Sequence, residues 1–220
     1  MKTCKITTIA ISLLILVNIS HNAHSSILYV SDDRSITHTA NGIFTPDTPF
    51  ADFNATTSDQ FGLANQVSSL TSSSMSGMGT NMLTDEGWFP QLISTESRFS
   101  VTFTVDRVTD FSLNGFFDTP WLSSEQPSVM LTENGNDLVN LTAWDLPGAA
   151  WDRVVNFGYS GQFNTGNTYQ LLLLTNGAPT GGNQTWDFNL NTTAVPLPAG
   201  VWLFGSGLFG LIGIARHKKA

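Results

Sequence analysis

From Arg98 to Asp106 every odd position is apolar and every even position polar: Phe99, Val101, Phe103 and Val105 alternate with Ser100, Thr102 and Thr104. Successive side chains of an extended strand point to opposite faces, so this period of two predicts a strand with one face in a core and the other in water. Trp186-Asp187-Phe188-Asn189-Leu190-Asn191 repeats the pattern, with Trp186 expected in the core, as do Phe111 to Phe117 and Val155 to Tyr159. Residues 26–194 hold no comparable helical period.

Turn chemistry separates these stretches. Asn134-Gly135 supplies the left-handed angles of a tight hairpin between Val129–Leu131 and Leu138–Leu141. Asn164-Thr165-Gly166-Asn167 is expected to join 154–163 to 168–175 in the same way. The Ser/Gly-rich run 68–81 and the shorter run 178–183 are expected to be loops. Many short two-faced strands at this spacing predict an all-β, antiparallel β-sandwich, jelly-roll-like, over residues 26–194.

The ends differ in composition from this middle. Lys2 and Lys5, an apolar stretch from Ile6 to Ile19 and the small-residue pattern Ala23-His24-Ser25 form the layout of a secretory signal peptide over residues 1–25. Cleavage is expected between Ser25 and Ser26, by a signal peptidase after passage through the secretion translocon. The middle keeps four arginines against all 17 acids, a formal charge of −13. A surface of that sign repels phosphate backbones and excludes nucleic acid as a partner. The single cysteine, Cys4, falls in the signal segment, so no disulfide and no cysteine metal site is expected in the mature domain.

Residues 195–220 close the chain with no acid: Val195-Pro196-Leu197-Pro198, then an uncharged stretch 199–215, then Arg216, His217, Lys218 and Lys219. Seventeen helical residues rise about 25 Å, at the short end of what a bilayer core requires. A transmembrane helix over 199–215 is therefore expected, with Arg216, Lys218 and Lys219 as the stop-transfer cluster that keeps the C-terminus inside and the domain outside. Pro196 and Pro198 hold the preceding residues extended.

This order of elements resembles the PEP-CTERM sorting segment in its VPLPA variant, with Leu197 where the family's glutamate would stand. The resemblance covers 195–220. It implies a Gram-negative exported protein, held in the inner membrane facing the periplasm in transit and then processed by an exosortase that grips Val195, Pro196, Leu197 and Pro198. It further implies a final location at the cell surface or in the extracellular polysaccharide matrix of a biofilm.

Catalytic chemistry finds little in the middle. Its one histidine, His38, has no nucleophile elbow to accompany it, and is expected at a surface or strand edge. The adjacent acids Asp32-Asp33 and Asp85-Glu86 are expected on opposite strand faces or solvated in loops. No catalytic residue, metal ligand or cofactor is assigned. Trp88, Trp121 and Trp151 adjoin turn residues, where a flat indole beside Asn and Asp can hold a sugar ring. The expected function is a non-enzymatic surface or matrix protein associated with extracellular polysaccharide. The alternatives are a glycan-acting hydrolase with a carboxylate pair and a calcium-stabilised adhesion module.

Overall fold

The computed structural model describes residues 26–39, 41–60, 62–83, 94–119, 126–146, 154–176 and 182–195. The strands are β1 (Ile27–Asp32), β2 (Ser35–His38), β3 (Gly42–Phe44), β4 (Phe53–Ser58), β5 (Gly62–Leu70), β6 (Ser74–Leu83), β7 (Thr95–Val105), β8 (Thr109–Asp118), β9 (Ser128–Glu133), β10 (Asn136–Thr142), β11 (Val154–Phe163), β12 (Tyr169–Asn176) and β13 (Gly182–Ala194). One 3-10 turn, Ala143–Asp145, follows β10. All pairings are antiparallel and form two sheets. The seven-stranded sheet runs β10-β9-β12-β7-β2-β3 with β1 also on β7, and the six-stranded sheet runs β11-β8-β13-β6-β5-β4. From β7 onward the chain passes repeatedly between sheets, β8, β11 and β13 in one and β7, β9, β10 and β12 in the other.

The alternation predicted for 98–106 is that of β7, whose inward residues Phe99, Val101 and Phe103 are wholly buried. Opposite lies β13, flanked by β8 and β6, with Trp186, Phe188 and Leu190 facing in. Phe99 meets Phe188 at 4.6 Å and Trp186 at 6.3 Å between ring centroids, both edge-on, and Phe111 stacks on Phe163 at 3.9 Å. Aromatic pairs of this kind add about 0.5–1.5 kcal/mol each to what their burial contributes. The Trp186 indole N–H donates to the Ser97 carbonyl of the facing sheet at 3.2 Å, so the largest core side chain is also bonded across the sandwich.

The Ser/Gly run 68–81 is not a loop: only residues 71–73 separate β5 from β6. Gly79 stands opposite Trp186 and Gly77 opposite Phe188 in the register with β13. A Cβ on Gly79 would overlap both the Trp186 ring and Ser97 Oγ. The missing side chains thus make room for aromatic rings, and the run reads as turn material only when its neighbour is left out. In the shorter run, Gly182 and Asn183 likewise belong to β13.

The hairpin at Asn134-Gly135 forms as expected, with φ of 51° and 80°. Residues 164–167 make no hairpin: β11 pairs only with β8, whereas β12 pairs with β7 and β9, so this turn carries the chain from one sheet to the other. It docks on the first turn instead. Thr168 N–H donates to Asn134 Oδ1 at 2.9 Å, and both Asn167 Nδ2 and the Tyr169 hydroxyl donate to Glu133 Oε1 at 2.7 Å.

A second buried cluster, Ile36, Phe53 and Ala64, lies beside an ion pair. Arg34 and Asp32, with side chains 0% and 1% exposed, meet at 2.6 Å. Arg34 Nε also donates to Asp32 Oδ1 at 2.7 Å, Nη2 to the Ala51 carbonyl at 2.6 Å and Nη1 to Ser68 Oγ at 3.1 Å. Asp32 Oδ2 in turn accepts the N–H of Phe50, which holds a left-handed φ of 66°. Residues 45–52 cross from β3 in one sheet to β4 in the other. This network fastens that crossing to β5, without a disulfide.

Candidate functional site

Of the residues singled out from the sequence, Trp88, Trp121 and Trp151, Ser25, Pro196, Leu197 and Pro198, and Arg216, Lys218 and Lys219 lie outside the described residues, as do Asp85 and Glu86. Val195 ends the described chain just past β13. At the other end, Ser26 N–H donates to Asp106 Oδ1 at 2.8 Å, and the bond holds the Asp106 carboxyl below its ordinary range. Among the described residues no helix is long and apolar enough to cross a membrane, and the stretch 199–215 is not among them.

One expectation about titratable groups is corrected. His38 is wholly buried, not at a surface or edge: β2 lies between β7 and β3, and it packs across the sandwich on β4 and β5. Its Nε2 stands 3.2 Å from Oδ1 of the partly exposed Asp59. Asp32 and Asp33 face opposite ways, the first of the two expected alternatives, and Asp32 is held by partners. Burial pushes its carboxyl up, yet the hydrogen bonds from Arg34 and Phe50 and the guanidinium charge outweigh that and hold it below the ordinary carboxylate range. Asp33 beside it is exposed. The two acids border an open cleft of about 370 Å³ with Ser35, Ile43, Thr45, Pro46 and Pro49, but Asp32 is already committed to Arg34.

Trp144 was not singled out by sequence, and among the described residues it is the exposed tryptophan, 63% accessible on the 3-10 turn. Asp145 pins that turn by accepting from Thr142 N–H and Oγ at 2.7 and 2.8 Å. The strand ends that precede and follow the other three tryptophans gather at the same end of the sandwich. Val154 pairs with Asp118, Thr142 with Ser128 and Leu83 with Gly182, while Asn81 Nδ2 of β6 donates to the Thr95 carbonyl of β7 at 3.2 Å.

Next to that end begins the outer face of the six-stranded sheet. Because Trp186, Phe188 and Leu190 point inward, Thr185, Asp187, Asn189 and Asn191 point outward. They align in register with Asp118, Phe116, Asn114 and Ser112 of β8 and with Thr80, Met78, Ser76 and Ser74 of β6. Apart from one row that carries Met78 and Phe116, the face presents hydroxyl, amide and carboxylate groups on a nearly regular grid, with neither lysine nor arginine among the described residues. Amides and hydroxyls both donate and accept, which suits a polyhydroxylated ligand. Asp118 and Asp187 stand on adjacent strands of this face, offset by two residues in the register. Among the described residues no three His, Cys, Asp or Glu side chains converge to hold a metal ion.

Burial raises the Asp187 carboxyl above its ordinary value. A raised value means that the folded state favours the protonated acid, so ionised Asp187 costs stability at neutral pH and that cost is relieved as pH falls. D187N is accordingly expected to stabilise the domain slightly at pH 7, by well under about 1 kcal/mol because solvent screens a partly exposed group, with the gain gone only below about pH 4. Urea denaturation at pH 7 and below about pH 4 reads this directly, and a destabilised variant at pH 7 would contradict it.

No family model matches the chain, and no curated protein matches it. Among solved structures it is similar to a family 35 carbohydrate binding module from Clostridium thermocellum, at 13% identity over 75% of this chain and 97% of that one. The TM-score is 0.27, and a likeness of that degree carries no argument about ligand or activity.

Proposed function

We propose that the chain is an exported, non-enzymatic protein of a bacterial extracellular matrix, a jelly-roll-like sandwich that holds polysaccharide and carries a C-terminal sorting segment for an exosortase. The observation that supports the glycan-holding role is the outer face of the six-stranded sheet, a grid of Asn, Ser, Thr and Asp side chains crossed by one row with Met78 and Phe116, and free of basic residues among those described. The exposed indole of Trp144 adds a stacking surface at the adjoining end.

The sorting role rests on the resemblance of residues 195–220. Export is supported by Ser26: removal of residues 1–25 would turn its amide into a charged amino group already seated against Asp106, strengthening a 2.8 Å hydrogen bond into an ion pair. Mass spectrometry of the protein recovered from medium and from membranes tests both ends. The expected mature species begins at Ser26 and, in the medium, ends at or close to the Val195–Pro198 element. Recovery from the medium with the apolar terminus intact would defeat the sorting proposal, and an intact N-terminus would defeat the signal cleavage.

A further inference from the structure

One row of the outer face differs from its neighbours. Read across the strands, Asn54, Val67, Met78, Asp187, Phe116 and Asn156 stand opposite one another in register. Six strands at about 4.8 Å make the row about 24 Å long. The rows beside it are polar, with Asn189 between Ser76 and Asn114 on one side and Thr185 between Thr80 and Asp118 on the other. In this one Val67 is 50% and Met78 41% exposed, and Phe116 is half-buried. Between Asn54 and Asn156 at its ends the row is an apolar stripe interrupted by one carboxylate.

Asp187 accepts no hydrogen bond and meets no cation among the described residues. Asp187 is half-buried between Phe116 and Met78, so its carboxylate stays reachable from solvent with no described side chain of the fold committed to it. A metal ion needs more oxygen ligands than this stripe offers. An ammonium group fits: it pairs with Asp187, and the aromatic ring beside it attracts cations. The apolar C–H face of a sugar ring suits Met78 and Phe116, and the exposed amides of Asn114 and Asn189 are placed to bond its hydroxyls. With a charge of −13 over residues 26–194, the domain repels acidic glycans.

We infer that the row through Met78, Asp187 and Phe116 is a subsite for an amine-bearing sugar residue within an otherwise uncharged glycan chain laid across the strands. This rests on the reading of the outer face as glycan-holding and names the ligand class of that face.

The test is calorimetric titration of the protein, expressed as the full chain and recovered from outside the cell, with an N-acetylglucosamine oligosaccharide and with its de-N-acetylated counterpart of equal length. The amine form is expected to bind about tenfold more tightly, as a charge-assisted contact allows. D187N should abolish that preference. D110N is the control: it removes one charge from the same face, in the row of Thr193 and Gln162. It should leave the preference intact. Equal effects of the two variants would mean bulk attraction between a polyanion and a cation, and would overturn the inference. So would equal affinity of the unmodified protein for both oligosaccharides, or binding of neither while the native extracellular polysaccharide is still bound. Failure to bind any glycan, the native polysaccharide included, would overturn the reading of the outer face itself.

Discussion

Replacing Arg34 by methionine is expected to destabilise the sandwich by about 3–5 kcal/mol, the cost of removing one partner from a buried ion pair. The guanidinium bridges Asp32, the Ala51 carbonyl and Ser68, and its loss leaves a carboxylate with 1% side-chain exposure and no opposing charge. Phe50, held at a left-handed φ by Asp32, would lose part of its support, and with it the crossing between the sheets. The pH dependence has a definite sign. In the unaltered protein the Asp32 carboxyl is held low, so its contribution is present above the unfolded value of about 3.9 and is lost as pH falls through the lower folded value. In R34M an unpaired, buried Asp32 would titrate high, and the deficit should shrink as pH is lowered towards about 4. Urea denaturation at pH 7 and pH 4 reads both effects. D32N/R34M should recover part of the loss at pH 7, because the uncompensated charge is gone. A deficit below about 1 kcal/mol, typical of an exposed pair, would contradict the arrangement.

Trp186→Ala is the second large effect, at about 3–5 kcal/mol for emptying a wholly buried indole site. The residue faces Phe99 and Phe188 and fills the space left by Gly79. Its removal also leaves the Ser97 carbonyl without the indole donor. W186F keeps the aromatic contact but loses that hydrogen bond, so it should cost less than the alanine variant. The neighbouring glycine supplies a coupling test. G79A alone forces its methyl into both the indole and Ser97 Oγ, whereas in a W186F background the ring is smaller and only the overlap with Ser97 Oγ remains. The double variant should therefore be less destabilised than the two single effects added together, a non-additivity that denaturant midpoints can resolve. Simple additivity would place the indole somewhere other than over Gly79.

These two sites also show what the sequence disclosed. Phe99 to Val105 and Trp186 to Leu190 were legible as strands, and Trp186 as core, because a period of two is a direct image of the pleat. Asn134-Gly135 was legible because only a few residues accept its backbone angles. The run 68–81 was not: serine and glycine have the composition of a loop, and only pairing with β13 reveals that Gly77 and Gly79 lie beneath Phe188 and Trp186. Turn chemistry at 164–167 was read correctly as a turn, but the residues of a turn do not say whether the next strand joins the same sheet. His38 follows Ile36 at the spacing of two that marks an inward face, yet Asp59, its partner across the sandwich, lies 21 positions away. Asp187 could be assigned to the outer face from alternation alone. Its neighbours Met78 and Phe116 come from distant strands, so the apolar stripe around it appears only with the register.

The most direct test of a glycan-holding, non-catalytic sandwich is electrophoresis of the exported protein through gels with and without the extracellular polysaccharide of the producing bacterium, followed by assay of the polysaccharide for new reducing ends. Retarded migration with no new reducing ends is the predicted result. Unchanged migration, or reducing ends that accumulate with time, would contradict it.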